Sequence, residues 1–193
     1  STGATSFTIG IDNGSGTFSG SIANPAGTLA LVKRGSGSQT LAGASSYMGG
    51  TRIESGTLVV GNALALGGSS NPLAIDGGTL NTGTFSLSVG TLSGSAGGLI
   101  TTSSIAGTRT LTTTVASGTG LFAGSIADNG SGHMAVVKAG PGELVLAAAN
   151  PHTGSTTVTG GVLRLAHPAA LVSSSLVPMA GGTVRFAAVA RST

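Results

Sequence analysis

Lys33-Arg34-Gly35-Ser36-Gly37, followed by Leu41-Ala42-Gly43-Ala44, Tyr47, Gly49, Thr51, Ile53, Gly56, Leu58 and Val60, is a stretch that the chain states twice. From Lys138 it runs Lys138-Ala139-Gly140-Pro141-Gly142, Leu146-Ala147-Ala148-Ala149, His152, Gly154, Thr156, Val158, Gly161, Leu163 and Leu165, each 105 residues on (138 − 33). Upstream the match continues at an offset of 104 (111 − 7), with Phe7, Ile11, Gly14, Phe18 and Ile22 facing Leu111, Val115, Gly118, Phe122 and Ile126. Downstream, Gly77-Gly78-Thr79-Leu80 faces Gly181-Gly182-Thr183-Val184. Repetition of one long cassette is the mark of architectures that stack. It moves the functional expectation from a single active site toward a chain that builds length.

The composition narrows the class. There are 35 Gly in 193 residues, 7% charged residues, 3% aromatic residues and no Trp. A disordered linker is excluded, because such chains are poor in apolar residues and rich in charge, whereas this one is 39% hydrophobic with a mean hydropathy of +0.41. The net charge of +3 reflects few acids rather than many bases. Lys33-Arg34 is the one basic pair, and Arg52, Arg109, Lys138, Arg164, Arg185 and Arg191 are scattered, so no stripe follows a phosphate backbone and no nucleic-acid partner is expected. Without Cys, stability rests on packing rather than on disulfides. No apolar run approaches the roughly 20 residues of a membrane span. An opening on Ser1 rather than Met, with fewer than two full cassettes, reads as a processed segment or a piece of a longer protein.

The hydrophobic period is two. Thr57-Leu58-Val59-Val60, Thr79-Leu80, Leu144-Val145-Leu146, Val162-Leu163-Arg164-Leu165 and Val184-Arg185-Phe186 are short strands between Gly, Ser, Asn or Asp. Ala63-Leu64-Ala65-Leu66 and Ala169-Ala170-Leu171-Val172 align with each other and read as one helical turn or a tight bend. Asp12-Asn13-Gly14 and Asp128-Asn129-Gly130 are turn signals. A sandwich and a stacked solenoid both fit short strands at this spacing. Strands of two to five residues, scarce aromatics and small regular side chains favour the solenoid. Coils of about 20 to 25 residues stacked about 4.8 Å apart would give eight or nine coils in a rod about 40 Å long.

The cassette resembles the autotransporter-associated β-strand repeat of large bacterial surface proteins, whose pattern reads loosely Lys-x-Gly-x-Gly-x-Leu-x-Leu-x-Gly-x-Asn-x-Tyr-x-Gly-x-Thr-x-Val-x-x-Gly-x-Leu. Copy one departs with Gln39 for the first Leu and Ser45 for the Asn; copy two departs with His152 for the Tyr and Ala148 for a Gly. The resemblance implies an all-β chain, a right-handed parallel β-helix (β-solenoid), in the passenger of a type V secreted protein. Such a passenger crosses the outer membrane through a C-terminal barrel and ends on the cell surface or is released. The residue pattern alone leaves the hand of the solenoid open.

Candidate sites were weighed residue by residue. A lyase-like β-helix enzyme uses clustered acids for Ca²⁺, and here Asp12, Glu54, Asp76, Asp128 and Glu143 are all distant in sequence, with only Glu54 and Asp76 near one coil apart. His133, His152 and His167 have no carboxylate or Cys at ligand spacing, and His152 occupies the place of Tyr47, which reads as packing or a turn. Gly35-Ser36-Gly37 beside Lys33 lacks the ending of a phosphate loop. Thr51, Thr57, Thr79 and Thr112-Thr113-Thr114 suggest a lattice-binding array, but Thr-x-Thr does not recur coil by coil.

The expectation is therefore a single β-solenoid segment, 1–193, with cassettes over 7–110 and 111–193. It is not an enzyme and has no catalytic, cofactor-binding or metal residues. It is a surface-exposed rod or stalk of an autotransporter-type passenger with adhesive or self-associating character. The alternative is a filament subunit stacking end to end, and a third reading is a polysaccharide-active enzyme. Expected partners are other β-helix segments or like chains, end to end or side by side, and host or matrix surfaces. The expected location is extracellular, on a bacterial surface, tied to the outer membrane through a region outside this segment.

Overall fold

The computed structural model describes residues 4–24 and 27–187. Residues 1–3, 25–26 and 188–193 of the expected 1–193 segment, Arg191 among them, lie outside the described residues. The chain winds in coils. The first carries β1 (Ala4–Ile9) and β2 (Gly16–Phe18), the second β3 (Thr28–Lys33) and β4 (Ser38–Leu41), the third β5 (Thr51–Ile53) and β6 (Thr57–Val60). Each of these coils has two strands and, among the described residues, none on its third side. The next three have strands on all three sides: β7 (Leu73–Ile75), β8 (Thr79–Asn81) and β9 (Leu87–Val89); β10 (Leu92–Gly94), β11 (Leu99–Thr101) and β12 (Gly107–Thr114); β13 (Thr119–Phe122), β14 (Ser125–Ile126) and β15 (Gly132–Ala139). The winding closes with β16 (Glu143–Leu146) and β17 (Thr156–Val158), β18 (Gly161–Leu165) and β19 (Leu176–Pro178), and β20 (Gly182–Phe186).

Stacking places these strands in three parallel sheets. Sheet A has nine strands, β1-β3-β5-β7-β10-β13-β16-β18-β20; sheet B has six, β2-β4-β6-β8-β11-β14; sheet C has five, β9-β12-β15-β17-β19. Nine strands in one stack make about eight coils, which at about 4.8 Å per step is a rod about 38 Å long. All strand pairs are parallel, so main-chain hydrogen bonds run along the rod axis.

Side chains of period two turn alternately in and out, and the inward ones stack in columns. Leu58, Leu80, Ile100 and Ile126 lie one above another in sheet B, all fully buried. In sheet C, Leu87, Leu111, Val136 and Thr156 form a second column. Each buried aliphatic side chain contributes roughly 1.5–3 kcal/mol, and a small neighbour of similar shape above and below fills most of a narrow interior, in which Tyr47 and Phe122 are fully buried aromatics. The two Ala-Leu segments are tight bends, not helices, closed by Ala65 N–H to Asn62 O at 3.0 Å and Ala170 N–H to His167 O at 3.0 Å.

Two expectations need correction. Strands are not limited to five residues, since β12 and β15 span eight and pair along their whole length. Alternating β-branched and aliphatic residues, Thr110-Leu111-Thr112 and Ala135-Val136-Val137, extend pairing wherever no Gly interrupts them. Coil length also varies more than expected. Leu73 to Leu92 is a step of 19 residues, whereas Gly94 to Phe122 is a step of 28, because that coil contains the long β12.

Candidate functional site

The repeated lysines are the first feature to ask about. Lys33 ends β3 and Lys138 lies next to the end of β15; both side chains are fully buried. The Lys33 ammonium donates to Arg34 O at 2.6 Å, Gly35 O at 2.8 Å and, one coil on, Ser55 O at 3.2 Å. Lys138 repeats this with Ala139 O at 2.9 Å, Gly140 O at 2.9 Å and Gly160 O at 3.0 Å. The chain turns a corner at Gly35 and Gly140, both at positive φ, and three carbonyls converge on each ammonium there, of which Ala139 O also accepts from Val115 N–H at 3.0 Å. An ammonium with three donors satisfies all three. Burial pushes both lysine pKa values below the usual range. These lysines are clasps, tying a corner to the corner above it.

The strandless side of each cassette is anchored from within. Tyr47 and His152 are both fully buried. Tyr47 shares a 2.6 Å hydrogen bond between its hydroxyl and Thr51 Oγ1, and His152 shares one of 3.0 Å between Nε2 and Thr156 Oγ1. Burial raises the Tyr47 pKa to about 12 and lowers that of His152. His152 Nδ1 is buried without a partner among the described residues. The other departures from the pattern keep their jobs too. Ser45 Oγ accepts from Ile22 N–H at 3.2 Å, as Asn150 Oδ1 accepts from Ile126 N–H at 2.9 Å. His167 Nδ1 accepts from Ala169 N–H where Asn62 Oδ1 accepts from Leu64 N–H.

The polar cluster nearest to chemistry is Asp128, His133 and Thr153, brought together from adjacent coils. Asp128 Oδ2 accepts from the Thr153 hydroxyl at 2.5 Å and its N–H at 3.1 Å and lies 3.0 Å from His133 Nδ1; Oδ1 accepts from Met134 N–H at 2.7 Å. Burial alone would raise the Asp128 pKa, but these bonds outweigh it and hold it below its usual value. The hydroxyl and the carboxylate both meet the same ring nitrogen, Thr153 Oγ1 lying 2.8 Å from Nδ1. A proton relay needs them on opposite nitrogens, so the cluster works as a clamp between coils.

Glu54 and Asp76 do stack one coil apart, as their spacing implied. Arg52 stands between them, 3.3 Å from Glu54 and 2.8 Å from Asp76, and Arg34 lies 2.7 Å from Glu54. The pair is neutralised by guanidinium groups rather than left open to a cation. Glu143 meets Arg164 at 3.1 Å. Among the described residues, no three His, Asp or Glu side chains are grouped to hold a metal ion.

These ion pairs share one side of the rod. Arg52, Glu143, Arg164 and Arg185 stand on strands of sheet A, and Arg34, Glu54 and Asp76 directly follow its strands. The outer surfaces of sheets B and C differ. Thr40, Thr57 and Thr79 face out from B, and Thr108, Thr110, Thr112 and Thr114 face out from β12 in C. The next strand of C does not repeat the threonines; His133, Ala135, Val137 and Ala139 stand opposite them. Sequence reading missed this sidedness, because the charges lie about a coil apart along the chain. Among the described residues, the first and last coils each border a cavity. A cavity of about 370 Å³ between Phe7, Phe18, Ile22 and Leu41 lies at one end, and one of about 480 Å³ between Leu165, Leu171, Leu176 and Phe186 at the other.

The family model of the passenger-associated-transport-repeat matches residues 31–60 and 136–165, the dense motif of each cassette. The adhesin BmaC autotransporter of Brucella suis biovar 1 (strain 1330) is 38% identical over 151 residues, 77% of this chain and 4% of that protein. The chain thus spans a small part of the curated relative it matches. No solved structure matches it. No helix among the described residues is long and apolar enough to cross a membrane.

Proposed function

We propose, from the premise that the two cassettes are passenger-associated transport repeats, that this chain is one solenoid segment of a surface-exposed autotransporter passenger. Its role is structural: a rod that projects from the bacterial surface and adheres, without catalysis, through its sides. The segregation of charge carries this reading. Sheet A is kept solvated by its ion pairs. Sheets B and C offer flat ladders of hydroxyl and aliphatic groups, on which like rods can lie without electrostatic repulsion. The partner these faces fit best is a second copy of the chain.

The test places two negative charges on each side in turn. Thr112 and Val137 are neighbours on the outer face of sheet C. Beads displaying the chain should clump and settle. T112E with V137E should abolish settling, while R52E with R164E on sheet A should leave it in place. Settling that ignores the sheet C charges, or depends on sheet A, overturns the proposal. Beads that bind a host or matrix surface but not each other would assign the adhesive partner differently and reject the like-chain reading.

A second reading rests on the aromatic side chains exposed in the first and last described coils. Exposed Phe7, Phe18 and Phe186 rim the two end cavities and would be covered by a further coil, so copies joined end to end would form a filament.

A further inference from the structure

We infer that successive cassettes are turned by one face of the three-sided rod, so that the strandless segment of each cassette points to a different side. The pairing registers require it. Strands β3 and β15 are equivalent by sequence, each ending near its clasp lysine, yet β3 is in sheet A and β15 in sheet C. The same shift holds for β5 and β17, from A to C, and for β4 and β16 or β6 and β18, from B to A. From Leu31 the stack climbs through Thr51, Leu73 and Leu92 to the level of β13, which is four coils. Val136, the equivalent of Leu31, lies two faces further along the chain in sheet C. A cassette is therefore about four and two-thirds coils, a rise of about 22 Å.

The cause is variation in coil length. Coils within the dense motif take 20 and 22 residues per step (Leu31 to Thr51, Thr51 to Leu73), and the three-stranded coils that follow take 19, 28 and 24 (Leu73 to Leu92, Gly94 to Phe122, Phe122 to Leu146). The sum leaves a fraction of a coil over. The consequence is seen in what each strandless segment stacks on. Residues 42–50 hydrogen bond to the strandless residues of neighbouring coils, Ser46 N–H to Ile22 O and Ser45 N–H to Leu64 O. Residues 147–155 instead continue sheet B, with His152 N–H donating to Ile126 O of β14 and Asn150 Oδ1 accepting from Ile126 N–H.

Strandless segments are the part of a solenoid whose surface is free to vary, and loops on a rigid scaffold are where recognition resides. Turning them from cassette to cassette presents them around the rod. Each cassette then presents its own segment to a second copy of the chain without crowding the neighbouring cassette. A partner lying flat along one side meets the segment of only one of the two. This extends the surface-rod reading but does not depend on which face adheres.

The absence of cysteine makes the geometry measurable. Spin labels at A44C and A149C mark exposed equivalent positions. Labels at R52C and R164C mark one face, since Arg52 and Arg164 are five pairing steps apart on sheet A, about 24 Å. Pulsed electron–electron distance measurement should find the A44C/A149C pair longer than the R52C/R164C pair, although its axial rise is smaller. A distance equal to or below the control overturns the inference. S46C with P151C gives the same readout if the alanine variants fold poorly. Biotinylated at the same sites, A44C/A149C should hold two monovalent streptavidins and R52C/R164C one; one on each would overturn independent engagement.

Discussion

At the residue scale the lysine clasps matter most. A buried ammonium without a carboxylate is costly unless every donor is used, and here all three are. K138M keeps the aliphatic stem but strands two inward carbonyls, Gly140 O and Gly160 O, while Ala139 O keeps its bond from Val115 N–H. At about 1–3 kcal/mol for a buried group left unpaired, with some relaxation, the variant should lose about 2–4 kcal/mol in urea unfolding; an unchanged midpoint would remove the clasp from the account. His152 yields a pH prediction. Its folded pKa is below the ordinary value, so as pH falls through about 6.5 the unfolded chain takes up the proton first. Stability is full above that pH and falls below it by up to about 1.4 kcal/mol per pH unit. H152Y, which restores the Tyr47 arrangement, should flatten the unfolding midpoint between pH 7 and 5, and a variant as pH-sensitive as the parent would contradict it. The lysine was legible as a repeated residue, but its role was not, because one acceptor comes from the next coil. Tyr47 and His152 were legible as equivalents for the opposite reason: their partners Thr51 and Thr156 are four residues away in the same motif.

At the element scale, strands end where glycines let coils turn. Gly161 opens β18 at φ +63°, and a Cβ there would lie 2.5 Å from Gly140 O and closer still to Gly142 O. Backbone above and below prevents either from moving, so G161A should cost more than the roughly 1 kcal/mol of positive φ alone. Amide exchange should accelerate first in β18 and its neighbours β16 and β20; uniform or absent change would show that the corner tolerates a side chain. Strands β6, β8, β16, β18 and β20 were readable from alternation between glycines. The full length of β12 and β15 was not, since the Thr-rich run of β12 and the mixed run of β15 lack the clean alternation of polar and apolar residues between glycines that marks the others. Coil assignment was unreadable in detail because strand spacing alone does not say which face a strand joins.

At the scale of the whole molecule, stacking gathers the arginine–carboxylate pairs of a sequence with few and scattered charges on the sheet A side of the rod, with Asp128 and His133 as a separate pair beside sheet C. Glu54 and Asp76 illustrate what sequence spacing does and does not carry: it placed them one coil apart, but not Arg52 between them. The overall architecture was legible because one cassette repeats; sidedness and rotation emerge only when residues about a coil apart are brought into register. The central claim is a rod that associates through its sides. Negative-stain electron microscopy of the purified chain across a concentration range tests it most directly. The account predicts separate short rods, about 38 Å long, that pair side by side as concentration rises. Filaments of constant width that lengthen end to end, with no lateral pairing, would contradict it and make assembly through the first and last described coils the function.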